Sequence, residues 1–303
     1  MSDPLSDVLD LVEIRGLMSS GFAAEGAWVA RGPLEHALKF VALARGRARL
    51  STDGDGGPLI LEPGDVAILS NRSWLEVRGG DDEEAAAREI DVASAGYVPV
   101  LDGTEVVLGG HISLNPIGEA LLVQALPPVG HVRAATTTVP LRARVDQLLD
   151  EVTGDRIGSS FAVRQHAQLL VLDMLRVYLG QAALPPGWLR VLTDERLHPA
   201  LALMHAEPGT AWRLETLARA AAMSRTAFAT RFRAMAGMPP LTYLGRWRML
   251  LAQRALRDGD DSVGTVATTL GYSSESAFST AFKREVGEAP LRYRKRQRGT
   301  GSR

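Results

Sequence analysis

The C-terminal part of the chain repeats itself at a spacing of fifty residues, and this repeat limits the possible folds more than any other feature. The first copy is LETLARAAAMSRTAFATRFRAMAG at Leu214–Gly237, and the second is VGTVATTLGYSSESAFSTAFKREVG at Val263–Gly287. A recurring unit of this length predicts two copies of one supersecondary element. A shift of fifty pairs Leu217 with Ala267, Ser224 with Ser274, Phe228 with Phe278, Thr230 with Thr280, Phe232 with Phe282 and Gly237 with Gly287.

Each copy predicts a helix, a tight turn and a second amphipathic helix, which is the helix-turn-helix plan. Small residues in the first helix (Ala220–Ala222 or Ala267) allow close helix packing. The phenylalanines at i and i+4 in the second helix share one buried face. Ser224 and Ser274 are predicted N-caps, and they leave amide donors near a helix end where phosphate also binds.

A long helix is predicted between the copies, from Met238-Pro239-Pro240 to about Asp258. Its Leu241, Leu244, Leu251 and Leu256 are expected to pack on both copies. A rigid connecting helix would fix the distance between the second helices of the two copies. That distance must be ~34 Å for both to enter successive major-groove segments.

The net charge of −1 conceals two halves of opposite sign. Residues 1–190 hold 16 basic and 25 acidic residues, a net of −9, whereas residues 191–303 hold 18 basic and 10 acidic residues, a net of +8. A basic half that also carries the repeat is expected to bind a polyanion, and double-stranded DNA fits this description.

The spacing Val263…Ala267…Gly271–Ser279…Phe282-Lys283…Gly287…Pro290…Tyr293-Arg294 carries a family resemblance. Residues 197–296 resemble the DNA-binding domain of AraC/XylS-type regulators. The resemblance implies a sequence-specific transcription regulator with a small-molecule sensor upstream. It assigns base reading to exposed residues of each second helix: Arg225, Thr226, Ala229, Thr230, Glu275, Ser276, Ser279 and Thr280.

Thr230 and Thr280 stand where many members of that family carry Arg. Threonine lacks the bidentate fork that reads guanine, so the base preference stays open and some reading of DNA shape is expected. Glu275 either accepts from cytosine or is a carboxylate favoured at a helix start. Phosphate contacts are expected from Ser224, Arg231, Arg233, Arg246, Arg248, Ser274, Lys283, Arg284 and Arg294, with 292–298 as a basic arm.

The N-terminal half shows short apolar runs separated by Gly, Pro and Asp, from Gly26 to about Val139. This pattern is typical of an antiparallel β barrel or sandwich. Leu61–Val66 reads Leu-Glu-Pro-Gly-Asp-Val and follows a Gly-rich turn. The short apolar strand run, the Gly-rich turn and this Leu-Glu-Pro-Gly-Asp-Val motif together resemble a cupin, specifically the sensor domain of AraC/XylS-type regulators, over about residues 10–135. The acidic run Asp81–Glu84 is interpreted as a solvated loop.

A metal site in this barrel is not expected. Cupin enzymes resemble one another in a two-His, one-Glu motif and a second motif with another His, and imidazole and carboxylate ligands suit Fe, Mn or Zn. The second motif would place its Pro, Gly and His on Ser70, Arg72 and Leu75, and the first offers only Glu35 and His36 followed by Lys39. A cation is a poor neighbour for a metal but a fair one for an anionic ligand. No cofactor is predicted.

Candidate effector-pocket residues are the polar and aromatic groups on the predicted strands, since such groups often line barrel mouths. They are Trp28, His36, Lys39, Arg49, Trp74 and His111. Core or rim packing is the alternative for each tryptophan, and a hydrogen-bonded structural role is the alternative for His36, His111 and His131.

Two connector helices are predicted at 141–152 and 161–181, and Pro185-Pro186-Gly187 then begins a linker. The second helix is apolar over most of its circumference, so it must bury both sides. One side can cover the barrel, and the other either forms a dimer interface or packs within the same chain.

The sequence thus predicts an α+β protein: residues 1–139 form a cupin-like ligand-sensing domain, 140–190 a helical dimerisation segment and 191–303 a double helix-turn-helix domain. We expect no enzymatic activity. The expected partners are promoter DNA, an unknown small-molecule effector, RNA polymerase and a second copy of the chain. Without cysteine, a secretory signal or an ~18-residue apolar run, a cytoplasmic protein is the default. A metal-dependent cupin enzyme with a DNA-binding appendage and a ligand-independent DNA binder are the alternatives.

Overall fold

A computed structural model describes residues 4–12, 14–54, 56–80, 87–91, 104–136, 140–154, 156–180 and 184–299. The chain divides into two units. The first, 13–183, holds the barrel and the connector helices, and the second holds 184–303 together with 1–12. The predicted acidic loop Asp81–Glu84 lies outside the described residues.

The barrel unit consists of two five-stranded sheets, in the orders β1-β9-β3-β6-β10 and β5-β4-β7-β2-β8. Except for the parallel pair of β2 and β8, the strand pairs are antiparallel. The predicted β-rich N-terminal domain is therefore confirmed. The strands are β1 (Ile14–Ala24), β2 (Trp28–Pro33), β3 (Leu38–Arg45), β4 (Ala48–Thr52), β5 (Leu59–Leu61), β6 (Val66–Ser70), β7 (Trp74–Gly79), β8 (Arg88–Ile90), β9 (Glu105–Leu114) and β10 (Val129–Val132).

Successive side chains along a strand point to opposite faces of the sheet, and the side chains on the inward faces form the core between the two sheets. Val41 and Leu43 on β3 and Leu75 and Val77 on β7 are buried in one apolar cluster. Trp28 belongs to the same cluster and is fully buried, and its indole N–H donates to Glu105 Oε2 at 3.2 Å. This partner satisfies the only polar atom of the tryptophan side chain.

Asp65 explains the Pro-Gly-Asp motif. Its buried carboxylate accepts from the backbone N–H groups of Glu62 at 3.1 Å and Ala134 at 2.8 Å. The Nε2 atom of His131 lies 3.0 Å from Asp65 Oδ2. Asp65 therefore connects the turn before β6 to the end of β10. His131 has the hydrogen-bonded structural role that the sequence left open for it.

The connector helices form where they were predicted, as α3 (Leu141–Thr153) and α4 (Ser159–Leu179), after α2 (Pro116–Ala125). Residues at spacings of three and four along α4, such as Val163, Ala167, Leu170 and Met174, are buried. Phe161 and Leu169 are exposed, by 62% and 40%. One side of α4 is therefore packed within the unit, and an apolar part of its circumference is open.

The second unit is entirely helical. Its helices are α1 (Pro4–Leu11), α5 (Trp188–Val191), α6 (His198–Ala206), α7 (Leu214–Ala220), α8 (Arg225–Ala236), α9 (Pro240–Asp258), α10 (Val263–Thr269), α11 (Glu275–Val286) and α12 (Pro290–Gly299). None of the helices in the described parts of either unit has the length and apolar character needed to span a membrane.

The long helix α9 contributes to two apolar cores, as predicted. Leu244 packs in the core around α7 and α8, whereas Leu256 packs in the core around α10 and α11, with Leu251 partly buried against it. The expectation for Leu241 is wrong, because this side chain is 48% exposed. It lies one residue after the buried Pro240, and the helical rotation turns it away from the face that Pro240, Tyr243 and Leu244 bury.

The first helix, α1, belongs to the second, helical unit, which differs from the predicted boundary that placed it with the barrel. Its Val8 and Leu11 are buried, and Leu5 packs against the core around α7 and α8. Asp7 Oδ2 lies 3.3 Å from His205 Nδ1 on α6. Apolar spacing shows that a short helix has a buried face, but it does not identify the surface that covers that face.

His205 is the polar centre of this contact, with a side chain that is fully shielded from solvent. Its ring stacks on Trp247 at 3.9 Å, and its Nε2 lies 2.9 Å from Tyr243 Oη. A carboxylate only accepts, so Nδ1–H donates to Asp7 and the tyrosine hydroxyl donates to Nε2 of a neutral imidazole. Burial lowers the pKa of His205, although Asp7 opposes this shift.

We predict that the second unit loses stability as pH falls below about 6.5, the ordinary pKa of histidine. The unfolded chain then binds a proton that the folded unit takes up only at lower pH, so the free energy of unfolding decreases as pH falls toward the folded-state pKa of His205. Urea unfolding of the full chain between pH 8 and pH 5 measures this effect. His205→Gln should reduce the slope, and equal slopes in both proteins would contradict the prediction.

Candidate nucleic-acid interface and effector pocket

The second helix of each repeat, α8 and α11, presents the same exposure pattern to solvent. The hydroxyl of Ser224 accepts from Ala227 N at 3.2 Å, and that of Ser274 accepts from Ala277 N at 3.1 Å. The predicted N-caps therefore form. The phenylalanine pairs are fully buried, with ring centroids 5.7 Å apart in both copies. These contacts anchor each helix by one face and leave the opposite face free.

The predicted base-reading residues lie on that free face. Arg225, Thr226 and Thr230 are exposed and Ala229 is half-buried, and the second copy repeats this order. Ala227 and Ala277, which were not predicted to read bases, are also exposed there. The shared pattern follows from helix geometry, because Thr226 and Thr230 lie on the side opposite Phe228, and Arg225 is exposed as the first residue of α8.

Several of these side chains already have partners. Arg225 forms an ion pair with Glu215 on α7 at 3.1 Å, and both side chains are more than half exposed. The Thr280 hydroxyl donates to Ser276 O at 3.0 Å, which leaves its methyl group and lone pairs to face a ligand. A side chain added at Gly264 would meet Glu275 Oε2 at 2.9 Å, so Glu275 lies over the start of α10.

The turns of the two copies differ by one residue, which corrects the pairing of Leu217 with Ala267. In the first turn Met223 N donates to Ala218 O at 2.9 Å, and in the second Tyr272 N donates to Ala267 O at 2.9 Å. Ala218 is therefore the equivalent of Ala267. Before the serine cap the second turn is one residue longer, so the first helices align at a shift of 49 and the second helices at 50.

The repeat also extends into a third helix, which the sequence reading missed. Tyr243 on α9 packs edge-on against Phe232 at 5.4 Å, and Tyr293 on α12 packs edge-on against Phe282 at 5.5 Å. The motif Pro-Leu-x-Tyr at Pro240 and Pro290 carried this signal at the same shift of fifty. Each module therefore has three helices, and α9 continues beyond its module to become part of the next.

The cations that were predicted to contact phosphate fall into two groups: those whose side chains have no described partner, and those already bound to a carboxylate or a carbonyl oxygen. Arg233 and Lys283 occupy equivalent positions and are exposed, and their side chains form no hydrogen bond or ion pair with any residue that the structure describes. Arg284 is exposed close to Tyr272. The engaged ones are Arg231, which binds Asp194 at 2.7 Å, Arg246, which binds Glu285 at 3.0 Å, and Arg294, which donates to Asp261 O.

Arg248 has a structural role that its predicted phosphate contact did not include. From the middle of α9 it donates to Pro208 O at 2.6 Å and to Thr210 O at 2.9 Å, and its guanidinium carbon lies 5.9 Å from the centre of the Tyr272 ring. The backbones of Gly209 and Gly271 are in close contact, since a Cβ on Gly271 would lie 2.1 Å from Gly209 O. Arg248 thus holds the segment before α7 against the second turn.

The six predicted effector-pocket residues do not form one site. Lys39 lines a cleft between the two sheets, and His36 and His111 stack on each other at 4.1 Å. Trp28 is a core residue, whereas Trp74 and Arg49 alternate with inward-facing residues of β7 and β4 and therefore lie on the outer face. Within the described residues no group of three or more His, Asp or Glu could hold a metal ion.

The fold and these helices define the class of the protein: a DNA-binding protein with a double helix-turn-helix unit and a β-barrel unit. Family models described as "Cupin" and "Helix-turn-helix domain" match residues 3–180 and 217–296. A putative AraC-like transcription regulator of Streptomyces antibioticus is 37% identical over 97% of this chain and 98% of its own, and one of Streptomyces lividans is 36% identical over the same shares. The chain belongs to the AraC-like transcription regulators, and it is a DNA-binding regulator rather than an enzyme.

Among solved structures, the DNA-binding domain of AdpA in complex with a target DNA is 36% identical to this chain. The match covers 35% of this chain and 96% of that domain, with a TM-score of 0.34.

We predict that Ala222→Gly stabilises the DNA-binding unit by about 1 kcal/mol. Ala222 is exposed and ends α7 in the left-handed region, with φ +51°, where a Cβ costs ~1–2 kcal/mol. Thermal and urea unfolding of the full chain measure the change. Gly271→Ala is the matched opposite, because φ is +76° and the new Cβ would clash with Gly209 O. An Ala222→Gly protein that is no more stable would contradict the prediction.

Proposed function

We propose that the chain is a one-component regulator in which a small molecule in the barrel controls promoter binding by α8 and α11. The single observation that supports the DNA-binding surface best is the matched pair of capped helices with the same exposed positions. DNA sequence is read in the major groove by side chains of such helices, and phosphates set the register.

The reading face combines few hydrogen-bond donors with small side chains. Thr226, Thr230 and Thr280 offer methyl groups that suit thymine C5-methyl contacts, and Arg225 can leave its exposed ion pair with Glu215 to reach guanine, because such pairs contribute little. Ser276 and Ser279 can bond either base type. Only one long donor lies on this face, so part of the specificity is proposed to come from DNA shape.

The phosphate contacts are proposed to centre on Arg233 and Lys283. Both are exposed and unpaired among the described residues, and they stand at the same position of the two modules. A cation already bound to a carboxylate loses that partner when it contacts phosphate, so Arg231 and Arg246 are weaker candidates. Arg231 in particular pairs with Asp194, whose side chain is 1% exposed.

We predict that Arg233→Gln and Lys283→Gln each reduce the slope of log K against log salt by ~0.9, and that the double variant reduces it by ~1.8, because each lost contact releases one fewer counterion. Titration of a labelled duplex with the full chain at several salt concentrations measures the slope. Arg88→Gln, an exposed cation on β8, is the matched charge control and should leave the slope unchanged. Unchanged slopes in the first two variants would remove both residues from the phosphate contacts.

Selection of bound fragments from genomic DNA by the purified full chain tests the regulatory proposal directly. A shared site with two half-sites about one helical turn apart is expected. Binding without any enriched sequence would overturn the assignment of base reading to α8 and α11. The enriched sites would also indicate which genes the regulator controls.

Effector control is supported by the open cleft between the two sheets, because a ligand-independent barrel would be filled by its own side chains. A ligand shifts a regulator only when it binds two states with different affinity. The proposed mechanism is therefore a ligand-dependent repositioning of the reading helices or of the surface offered to RNA polymerase.

A homodimer is proposed to form through the open side of α4. Phe161 and Leu169 are two turns apart there and are 62% and 40% exposed, and a second copy that covers them would remove this apolar surface from water. The alternative, burial of both sides of α4 within the chain, is not supported, because these two side chains remain exposed.

We predict that Leu169→Glu converts the protein to a monomer, since a buried unpaired carboxylate at an interface core costs several kcal/mol. Light scattering after gel filtration gives the mass of the full chain and the variant. Arg88→Glu, at an exposed position of β8 in the same unit and away from α4, is the control for charge alone. A wild-type monomer, or a Leu169→Glu dimer, would exclude this interface.

A further inference from the structure

The cleft in the barrel exists because two inward positions lack side chains. On β2 the inward residues are Trp28, Ala30 and Gly32, and on β9 the alternation that places Val107 inward also places Gly109 inward. A Cβ built on Gly32 would meet no atom within 4 Å. The resulting cleft opens to solvent at this end. Large side chains fill the Trp28 end of the barrel, and the Gly32 end is left open.

The walls of this cleft are apolar except at one end. Phe22, Val41, Leu75, Val77 and Val107 line it, and Lys39 and Arg31 are its cationic residues. Arg31 is half exposed and bound to Glu76 at 2.6 Å. Lys39 stands two residues before Val41 and therefore points to the same inward face of β3. Within the part of the chain that the structure describes, no carboxylate forms an ion pair with Lys39.

Two histidines border Lys39 on its own side of the cleft. His111 is the direct neighbour of Lys39 in the register of β3 and β9, and its ring stacks on that of His36 at an interplanar angle of 17°. Burial lowers the pKa of His111, and the charges of His36 and Lys39 lower it further. Burial also lowers the pKa of Lys39. Among the described residues that line the cleft, the two charged side chains, Lys39 and Arg31, are both cationic.

We propose that this cleft binds a small amphiphilic monoanion, whose carboxylate or similar oxyanion head pairs with Lys39 while its apolar body lies among Phe22, Val77 and Val107. The proposal rests on the effector control proposed above and names the ligand class. A half-buried ammonium needs a partner, because burying a charge without one is costly. A metal ion is disfavoured beside Lys39, and a polyhydroxylated ligand would find no hydrogen-bonding partners on the apolar walls.

The test compares acids with their amides, which match in shape and differ in charge. Phenylacetate and phenylacetamide, together with butanoate, hexanoate and octanoate and their amides, are titrated into the full chain by calorimetry. At least one acid should bind about tenfold more tightly than its amide. If no acid is preferred, the anionic class is wrong.

Three variants locate the site. Lys39→Met should abolish the preference for the acid while keeping amide binding, and without ligand it should unfold at a higher temperature than wild type. Gly32→Leu should fill the cleft and abolish binding of both probes, and Arg88→Gln, at an exposed position of β8 that does not line the cleft, should change neither. An acid preference that survives in Lys39→Met, or a Lys39→Met protein that is less stable without ligand, would overturn the pairing.

The same measurements separate this proposal from the proposed function. If the amides bind as well as the acids and Gly32→Leu blocks both, the cleft is an effector site but not an anion site. If no probe binds, the ligand class is wrong, and the salt slopes of DNA binding still test α8 and α11 independently. Each variant is first checked for wild-type DNA affinity in the absence of probe, which shows that the DNA-binding unit is folded.

Discussion

The DNA-binding unit depends on the continuity of α9. Tyr243 and Leu244 complete the first core, and Met249, Ala252 and Leu256 complete the second, so one rigid helix is shared by two modules that each lack a closed core of their own. Arg248 lies between these two sets and bonds two carbonyl groups of the segment before α7. The spacing of α8 and α11 therefore follows from side-chain packing along a single helix rather than from a flexible linker.

The repeat allowed most of this unit to be predicted, because phenylalanine and serine at fixed spacing report burial and capping that local physics enforces. The one-residue difference between the turns could not be predicted. Alanine at 222 gives no sign of a positive φ, whereas Gly271 does. The role of Arg248 was also beyond the sequence, since a count of basic residues cannot separate a guanidinium that bonds carbonyl groups from one that is free to bind phosphate.

The barrel was predictable in class but not in detail. Turn residues and apolar runs indicated strands, yet which face of a strand is inward depends on register, and a shift of one residue exchanges the faces. Trp28, Arg49 and Trp74 were therefore indistinguishable from Lys39 as pocket candidates. The informative residues were glycines, because Gly32 and Gly109 stand at inward positions where bulky residues would have closed the core.

The placement of α1 changes how the charge of the chain should be divided. Residues 1–12 contain three acidic residues and no basic one, and two of them lie on a helix that packs in the otherwise basic unit. Asp7 lies 3.3 Å from His205, whose pKa is lowered by burial. The carboxylates of α1 reduce the positive potential of this unit, and screening confines their effect to about 8–10 Å at physiological salt. The phosphate contacts that remain strong should therefore be those more distant from α1. This distribution of charge depends on the fold, so dividing the linear sequence at residue 190 does not show it.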